Sequence, residues 1–127
     1  MQIIPTRLHG ILDYLTAALL ILAPWLFGFA DGSAAQWVPV AMGAGIILYS
    51  LLTSYEWGIL HVIPMRLHLV LDFGGGILLL ASPWLFGFAD RLIWPHVTVG
   101  AMEIVVACLT YRRANEPRNE WDVASGR

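Results

Sequence analysis

The residues Ala23–Asp31, Ala-Pro-Trp-Leu-Phe-Gly-Phe-Ala-Asp, recur almost unchanged as Ser82–Asp90, Ser-Pro-Trp-Leu-Phe-Gly-Phe-Ala-Asp. The similarity extends toward the N-terminus at a constant offset of 59 residues (82 − 23), and 17 of the 29 aligned pairs between residues 3–31 and 62–90 are identical. A repeat of this length indicates that one supersecondary unit has been duplicated. The chain is therefore expected to fold as two copies of that unit.

The composition is typical of a membrane protein. Of the 127 residues, 58% are hydrophobic and 13% are charged, whereas about a quarter of the residues in soluble domains are charged. The mean hydropathy is +0.70. The net charge of −2 gives no indication of nucleic-acid binding. The single cysteine, Cys108, excludes an internal disulfide and a multi-cysteine metal site.

Four apolar stretches approach the length of about 20 residues that a membrane-spanning helix needs. The sequence predicts these helices at residues 8–29, 37–55, 67–88 and 94–111. The predicted domains are a first repeat over residues 1–61, a second repeat over residues 62–111 and a cytoplasmic polar tail over residues 112–127. Because each repeat has two spans, both copies enter the membrane from the same side. The predicted fold is an all-α, four-helix membrane bundle of two parallel helical-hairpin repeats, with a pseudo-twofold axis along the membrane normal.

The arginines predict how the bundle is oriented. One side of the membrane is expected to hold both termini, the middle loop and Arg7, Arg66, Arg112, Arg113, Arg118 and Arg127. Only Arg91 falls on the other side, so the positive-inside rule predicts cytoplasmic termini in a prokaryotic inner membrane. An aromatic belt at the opposite interface is predicted for Trp25, Trp37, Trp84 and Trp94. Pro24 and Pro83 are expected to bend or end their helices.

The motifs Ala23-Pro24-Trp25 and Ser82-Pro83-Trp84 resemble the SPW-repeat family of small prokaryotic membrane proteins. In that family the Ser-Pro-Trp signature lies in the first of two helices per repeat. The resemblance covers residues 3–111, although Ala23 replaces the serine in the first copy. It implies a four-helix integral membrane protein, and it implies no particular activity or substrate.

Two twinned pairs of ionisable residues are the main candidates for chemistry. His9 and Asp13 are four residues apart, as are His68 and Asp72, so each pair lies on one helix face. A carboxylate within the membrane must find a partner or take up a proton. One interpretation is a structural polar network that joins the helices around the axis, and another is a proton or ligand site near the cytoplasmic surface. The proposed network comprises Arg7, His9, Asp13, Arg66, His68, Asp72 and Glu103.

Glu103 lies near the middle of the fourth predicted span, and its expected counterpart is Gly43 or Gly45. A charge at that depth costs about 2.5–3.5 kcal/mol, so this carboxyl group must be neutral, paired or turned inward. We expect either a hydrogen bond to Tyr49, Ser50 or a backbone carbonyl, or a role in proton relay or subunit contact.

Small residues predict close approach between helices, which association in lipid requires. They are Ala41, Gly43, Gly45, Gly74, Gly75 and Gly76. A lipid, pigment or quinone lying against the thinned third helix is the alternative.

The leading functional prediction is a non-catalytic membrane protein that acts by helix packing, as a homo-oligomer or as an accessory subunit of a larger complex. It includes no enzyme motif, metal or cofactor. One alternative is a small proton or cation transporter or channel that uses Asp13, Asp72 and Glu103. The other is a redox protein that binds quinone, or haem b through His9 and His68.

Overall fold

The computed structural model describes residues 2–112. The predicted polar tail therefore lies outside the described residues, apart from Arg112. Within the described range there are four helices and no strand: α1 (Thr6–Leu26), α2 (Ala34–Leu51), α3 (Met65–Leu85) and α4 (Trp94–Leu109). Three of them are long and apolar enough to cross a membrane, and α4 is a shorter apolar helix of 16 residues. The predicted all-α, four-helix fold is confirmed.

The helix bounds differ from the predicted ones by a few residues. The first and third helices begin two residues earlier, directly after Pro5 and Pro64, which are their N-caps. These helices end two residues after their internal prolines, Pro24 and Pro83. The largest difference is in α2, which ends at Leu51 instead of residue 55. The chain after Leu51 is therefore available as a loop, and that loop contributes to the site described below.

Each helical hairpin is held by a close contact between its two helices. A Cβ atom at Gly43 on α2 would lie 2.6 Å from the carbonyl oxygen of Ala17 on α1. In the second repeat, a Cβ atom at Gly100 on α4 would lie 2.7 Å from the carbonyl oxygen of Gly76 on α3. Because no side chain separates the backbones at these points, α1 packs closely on α2, and α3 on α4. Contacts between α2 and α3 join the two hairpins.

We call the end of the bundle opposite the two hairpin turns the loop end. There, short backbone segments of the two repeats pair with each other. Ile4 pairs with Thr110, and the equivalent Ile63 pairs with Thr53. Ile4 precedes α1 but bonds to the end of α4, so this pairing ties one repeat to the other. Thr53 and Thr110 therefore occupy equivalent positions in the two repeats. They are 57 residues apart in the sequence (110 − 53), whereas equivalent residues of α1 and α3 are 59 apart.

This shift changes the counterpart of Glu103. The prediction of Gly43 or Gly45 is wrong, because a shift of 57 residues relates Glu103 to Ile46 (103 − 57). Both side chains are buried, at 7% and 2% exposure, which agrees with equivalent positions on α4 and α2. Between equivalent positions on its two helices, the first repeat has two more residues than the second (59 − 57), so an alignment without a gap misplaces the second helices.

The opposite end of the bundle, which we call the hairpin end, carries the predicted aromatic belt. More than half of each tryptophan side chain is exposed there: Trp25 57%, Trp37 54%, Trp84 60% and Trp94 52%. An ion pair from Arg91 Nη1 to Asp31 Oδ2, 2.6 Å long, joins the two hairpin turns. Hydrogen bonds from the hydroxyl and amide groups of Ser33, and then from Arg91, hold the pKa of Asp31 well below its ordinary value.

Candidate metal centre

The two His/Asp pairs form one cluster across the pseudo-twofold axis. His9 and Asp13 come from α1, and His68 and Asp72 come from α3. None of the four residues is more than 2% exposed. The Nε2 atoms of the two histidines lie 3.3 Å apart. Residues that are 59 positions apart in the sequence therefore meet at one depth, as a parallel repeat requires.

Each histidine contacts both carboxylates. His9 Nε2 lies 3.0 Å from Asp13 Oδ1 and 2.8 Å from Asp72 Oδ2. His68 Nε2 lies 3.0 Å from Asp13 Oδ2 and 3.1 Å from Asp72 Oδ2. One nitrogen or oxygen atom from each of the four residues can be chosen so that all lie within 4.8 Å of one another. The four side chains therefore converge on a single point.

Two threonines determine which histidine nitrogen faces this point. His9 Nδ1 lies 2.8 Å from Thr110 Oγ1, and His68 Nδ1 lies 2.8 Å from Thr53 Oγ1. Each threonine hydroxyl already donates its proton to the backbone carbonyl four residues earlier, at 2.7 and 2.6 Å. A hydroxyl has one proton, so it must accept from the histidine Nδ1–H. In the neutral imidazole, the lone pair of Nε2 is then directed at the carboxylates.

Other hydroxyl groups position the carboxylates. Tyr49 donates to Asp72 Oδ1 over 2.6 Å, while Tyr55 and Ser50 donate to Asp13 Oδ2 over 3.1 and 3.4 Å. Tyr55 lies in the loop after α2, where burial and then the nearby charge of Asp13 raise the pKa of its hydroxyl group. Tyr55 therefore stays protonated and acts as a donor. Asp72 accepts a hydrogen bond from Tyr49 on α2, whereas Asp13 accepts one from Tyr55 in the loop, so the two carboxylates are not held in the same way.

The same loop covers the centre on the side of α1. Tyr55 is only 3% exposed, and a Cβ atom at Gly10 would lie 2.7 Å from its ring and 2.5 Å from that of Trp57. Two hydrogen bonds of 2.9 Å fix Trp57. Its indole N–H donates to the carbonyl oxygen of Arg7, and its backbone carbonyl accepts from the Tyr14 hydroxyl. The absence of a side chain at Gly10 thus allows the loop to seal the site.

The geometry fits a small tetrahedral ion. Four ligands at about 2.0–2.1 Å from Zn²⁺ would stand about 3.3–3.4 Å from one another. The histidine nitrogens lie 3.3 Å apart and the nitrogen–oxygen contacts are 2.8–3.1 Å, but they use both oxygens of Asp13. One atom from each residue gives a set that spans up to 4.8 Å, so the side chains would have to draw together around the ion. The same geometry does not fit a haem between His9 and His68, because the two carboxylates occupy the place that the macrocycle needs.

The remaining predicted site residues lie outside this cluster. Arg7 and Arg66 are exposed at the loop end. Glu103 is buried on α4, and within residues 2–112 no hydrogen bond joins it to the four clustered side chains. Among the small residues, Gly43, Gly75 and Gly76 contact neighbouring helices. Gly45 and Gly74 have open space beside them, and Ala41 is exposed.

The supporting roles of Thr53, Thr110 and Tyr55 were not predicted from the sequence. A signal for the threonines was present, since each directly follows a leucine at the end of its repeat. This similarity is apparent only when α2 is aligned with α4 at a shift of 57 residues (110 − 53). No comparable signal existed for Tyr55, because its counterpart in the second repeat is Arg112 (112 − 57).

Two parallel helical hairpins, mostly built from helices that can cross a membrane, define a small integral membrane protein with an internal duplication. The model of the SPW repeat domain matches residues 7–110, which include both repeats and all four clustered residues. The chain therefore belongs to the SPW repeat family. Neither the search of curated proteins nor the search of solved structures gave a match.

Proposed function

We propose that this membrane protein binds one divalent transition-metal ion, with Zn²⁺ as the best fit, at the centre formed by His9, Asp13, His68 and Asp72. The convergence of two Nε2 atoms and two carboxylates on one buried point supports this proposal most directly. The threonines add to it, because metal-binding histidines almost always donate their second ring N–H to an oxygen atom. Nitrogen and carboxylate ligands in a tetrahedral set favour zinc over magnesium or calcium.

The charges of the cluster are compatible with a divalent ion, although two protonated histidines would balance the two carboxylates equally. Two carboxylates buried inside a membrane bundle are costly unless a positive charge compensates them. A divalent cation bound by two neutral histidines and two carboxylates gives a site with no net charge. The tyrosine and serine hydroxyls that donate to the carboxylates would then act as the outer shell of the ion.

A structural role agrees best with the closed geometry. Catalytic zinc sites use three protein ligands and keep one position open, whereas structural sites use four. Here four side chains can each supply one ligand, and none is more than 2% exposed. We therefore propose a non-catalytic ion that ties α1 to α3 and locks the two repeats together.

Metal analysis of the full chain, purified in mild detergent, tests this function. We expect about one zinc per chain by mass spectrometry of the elements, as a single tetrahedral site requires. Replacement by Co²⁺ should give the visible absorption of a tetrahedral cobalt site. The matched control is His96→Gln, which removes a buried histidine at the hairpin end that is 1% exposed. A protein that takes up no zinc, or whose zinc is lost in the His96→Gln variant, would contradict the proposal.

The threonines give a second, graded prediction. The double variant Thr53→Val and Thr110→Val keeps all four ligands but removes both acceptors of the histidine Nδ1–H. We expect zinc affinity to fall by about 10- to 100-fold, as for other outer-shell changes. Competition with a fluorescent chelator measures the affinity, and the exposed Thr98→Val variant is the control. Unchanged affinity in the double variant would show that the threonines do not orient the histidines.

Arginine placement supports a proposal on orientation. Of the arginines within residues 2–112, Arg7, Arg66 and Arg112 lie at the loop end and Arg91 lies at the hairpin end. We propose that the loop end faces the cytoplasm, in a prokaryotic inner membrane.

Homo-oligomer formation or assembly with another membrane subunit is a second candidate role. It is favoured by Gly45 and Gly74, where a Cβ atom would meet nothing within 4 Å, and by the exposed Ala41. Such bare helix surfaces suit contacts with further helices. Crosslinking in native membranes tests this role, and a protein found only as free monomer would contradict it.

A further inference from the structure

The two repeats differ at the loop end in how one helix face is covered. In the first repeat, Tyr55 and Trp57 cover the face of α1 at Gly10. The equivalent position on α3 is Leu69 (10 + 59), so the second repeat has a leucine side chain where the first repeat has none. The residue equivalent to Tyr55 is Arg112 (55 + 57). The second repeat therefore cannot close this face in the same way.

A groove between α3 and α4 opens at that place. It has a volume of about 410 Å³ and is lined by Arg66, Leu69, Phe73, Ala107, Cys108 and others. Its floor is apolar, since Leu69 and Ala107 are buried at 8% and 6% exposure. The exposed Val70 and Phe73 form its sides at 64% and 40% exposure. The groove thus offers an apolar surface between α3 and α4.

Two arginines mark the loop end of this groove. Arg66 and Arg112 line it together, and both also line an adjoining cavity of about 360 Å³ with Gln2 and Tyr111. Within residues 2–112, neither arginine forms an ion pair or a side-chain hydrogen bond to a carboxylate. Among residues 2–112, two guanidinium groups thus share a cavity beside an apolar groove, which makes this end of the groove positively charged.

We propose that this groove binds one anionic phospholipid of the phosphatidylglycerol type. The acyl chain lies against Leu69, Val70 and Phe73, and the phosphate lies between Arg66 and Arg112. Guanidinium groups bind phosphate oxygens in a bidentate manner, and basic pockets between transmembrane helices recognise anionic headgroups. The proposal does not depend on the metal centre, because none of the four metal-site residues lines the groove.

Native mass spectrometry of the full chain, in nanodiscs of phosphatidylglycerol or of phosphatidylcholine, tests the proposal. We expect one retained lipid, with a marked preference for phosphatidylglycerol. The double variant Arg66→Gln and Arg112→Gln should weaken this preference by about 30-fold, from two lost arginine contacts. The matched control is Arg7→Gln, because Arg7 is the repeat equivalent of Arg66 beside a face that the chain itself covers. It should retain the preference.

Cys108 provides an independent measurement, since it is exposed, lines the groove and is the single cysteine of the chain. Alkylation of Cys108 by N-ethylmaleimide should be slower in phosphatidylglycerol than in phosphatidylcholine, and this difference should disappear in the double variant. Equal retention of the two lipids, or an unchanged preference in the double variant, would overturn the proposal. Equal protection of Cys108 in both lipids would also overturn it, because something other than anionic lipid, such as residues 113–127, would then cover the groove.

Discussion

Replacement of Asp72 by asparagine is expected to abolish zinc binding and to remove the thermal stabilisation that zinc provides. Asp72 Oδ2 lies 2.8 Å from the Nε2 atom of His9 and 3.1 Å from that of His68, so it is a shared partner of both ligands. Asparagine keeps the size of the side chain but removes its negative charge, so a divalent ion would bring an uncompensated charge into the buried site. Zinc at about 100 to 1,000 times its dissociation constant stabilises a folded protein by about 2.7–4.1 kcal/mol. The variant loses this contribution.

The measurement is the melting temperature in one detergent, with added zinc and with a chelator. The wild-type protein should show a large difference between the two conditions, and the Asp72→Asn variant should show none. Asp31→Asn is the matched control, because Asp31 lies in a hairpin turn at the opposite end and has an exposed side chain. If the Asp72→Asn variant kept one zinc and the full thermal shift, the four-ligand centre would be wrong. A fully stable variant without zinc would instead show that the site binds metal but that the metal does not hold the fold.

The fold could be predicted because the repeat determines both the number of helices and their symmetry. Hydropathy located the four helices, and the duplication supplied their symmetry, since two spans per copy force a parallel arrangement. The spacing of four residues also predicted that His9 and Asp13 share a face, as do His68 and Asp72. These inferences depend only on local periodicity and on the count of spans, both of which are present in the sequence.

The merging of the two pairs could not be predicted, because no local rule states how far apart α1 and α3 lie. The sharing of each carboxylate by both histidines depends on an interhelical distance of a few ångströms. Helix rotation was equally undetermined: helices that are apolar on all sides carry little information about which face turns inward. Gly43 and Gly45 illustrate this limit, since both are small and only Gly43 lies against another helix.

That pair of glycines provides the second prediction with a large effect. In a Gly43→Ala variant, the new Cβ atom would lie 2.6 Å from the carbonyl oxygen of Ala17, a backbone atom of α1. Backbone atoms cannot rotate away as a side chain can, so α1 and α2 must separate along their contact. We expect the free energy of unfolding to fall by about 1–3 kcal/mol, the usual range for overpacking a tight contact. The separation also moves α1, which carries His9 and Asp13, so zinc affinity should fall with stability.

Gly45→Ala is the matched control on the same helix, two residues away, where a Cβ atom meets nothing within 4 Å. It makes the same chemical change and should be neutral or stabilising, because alanine favours a helix over glycine by up to about 1 kcal/mol. Gly100→Ala, the repeat equivalent of the first variant, should be as damaging as Gly43→Ala, since its Cβ atom would lie 2.6 Å from the amide nitrogen of Leu80. Unfolding in dodecyl sulfate, measured for all three variants, gives the comparison. Equal stability of the Gly43→Ala and Gly45→Ala variants would mean that α1 and α2 do not approach this closely in the membrane, whereas damage limited to Gly43→Ala and Gly100→Ala would establish the same close contact in both repeats.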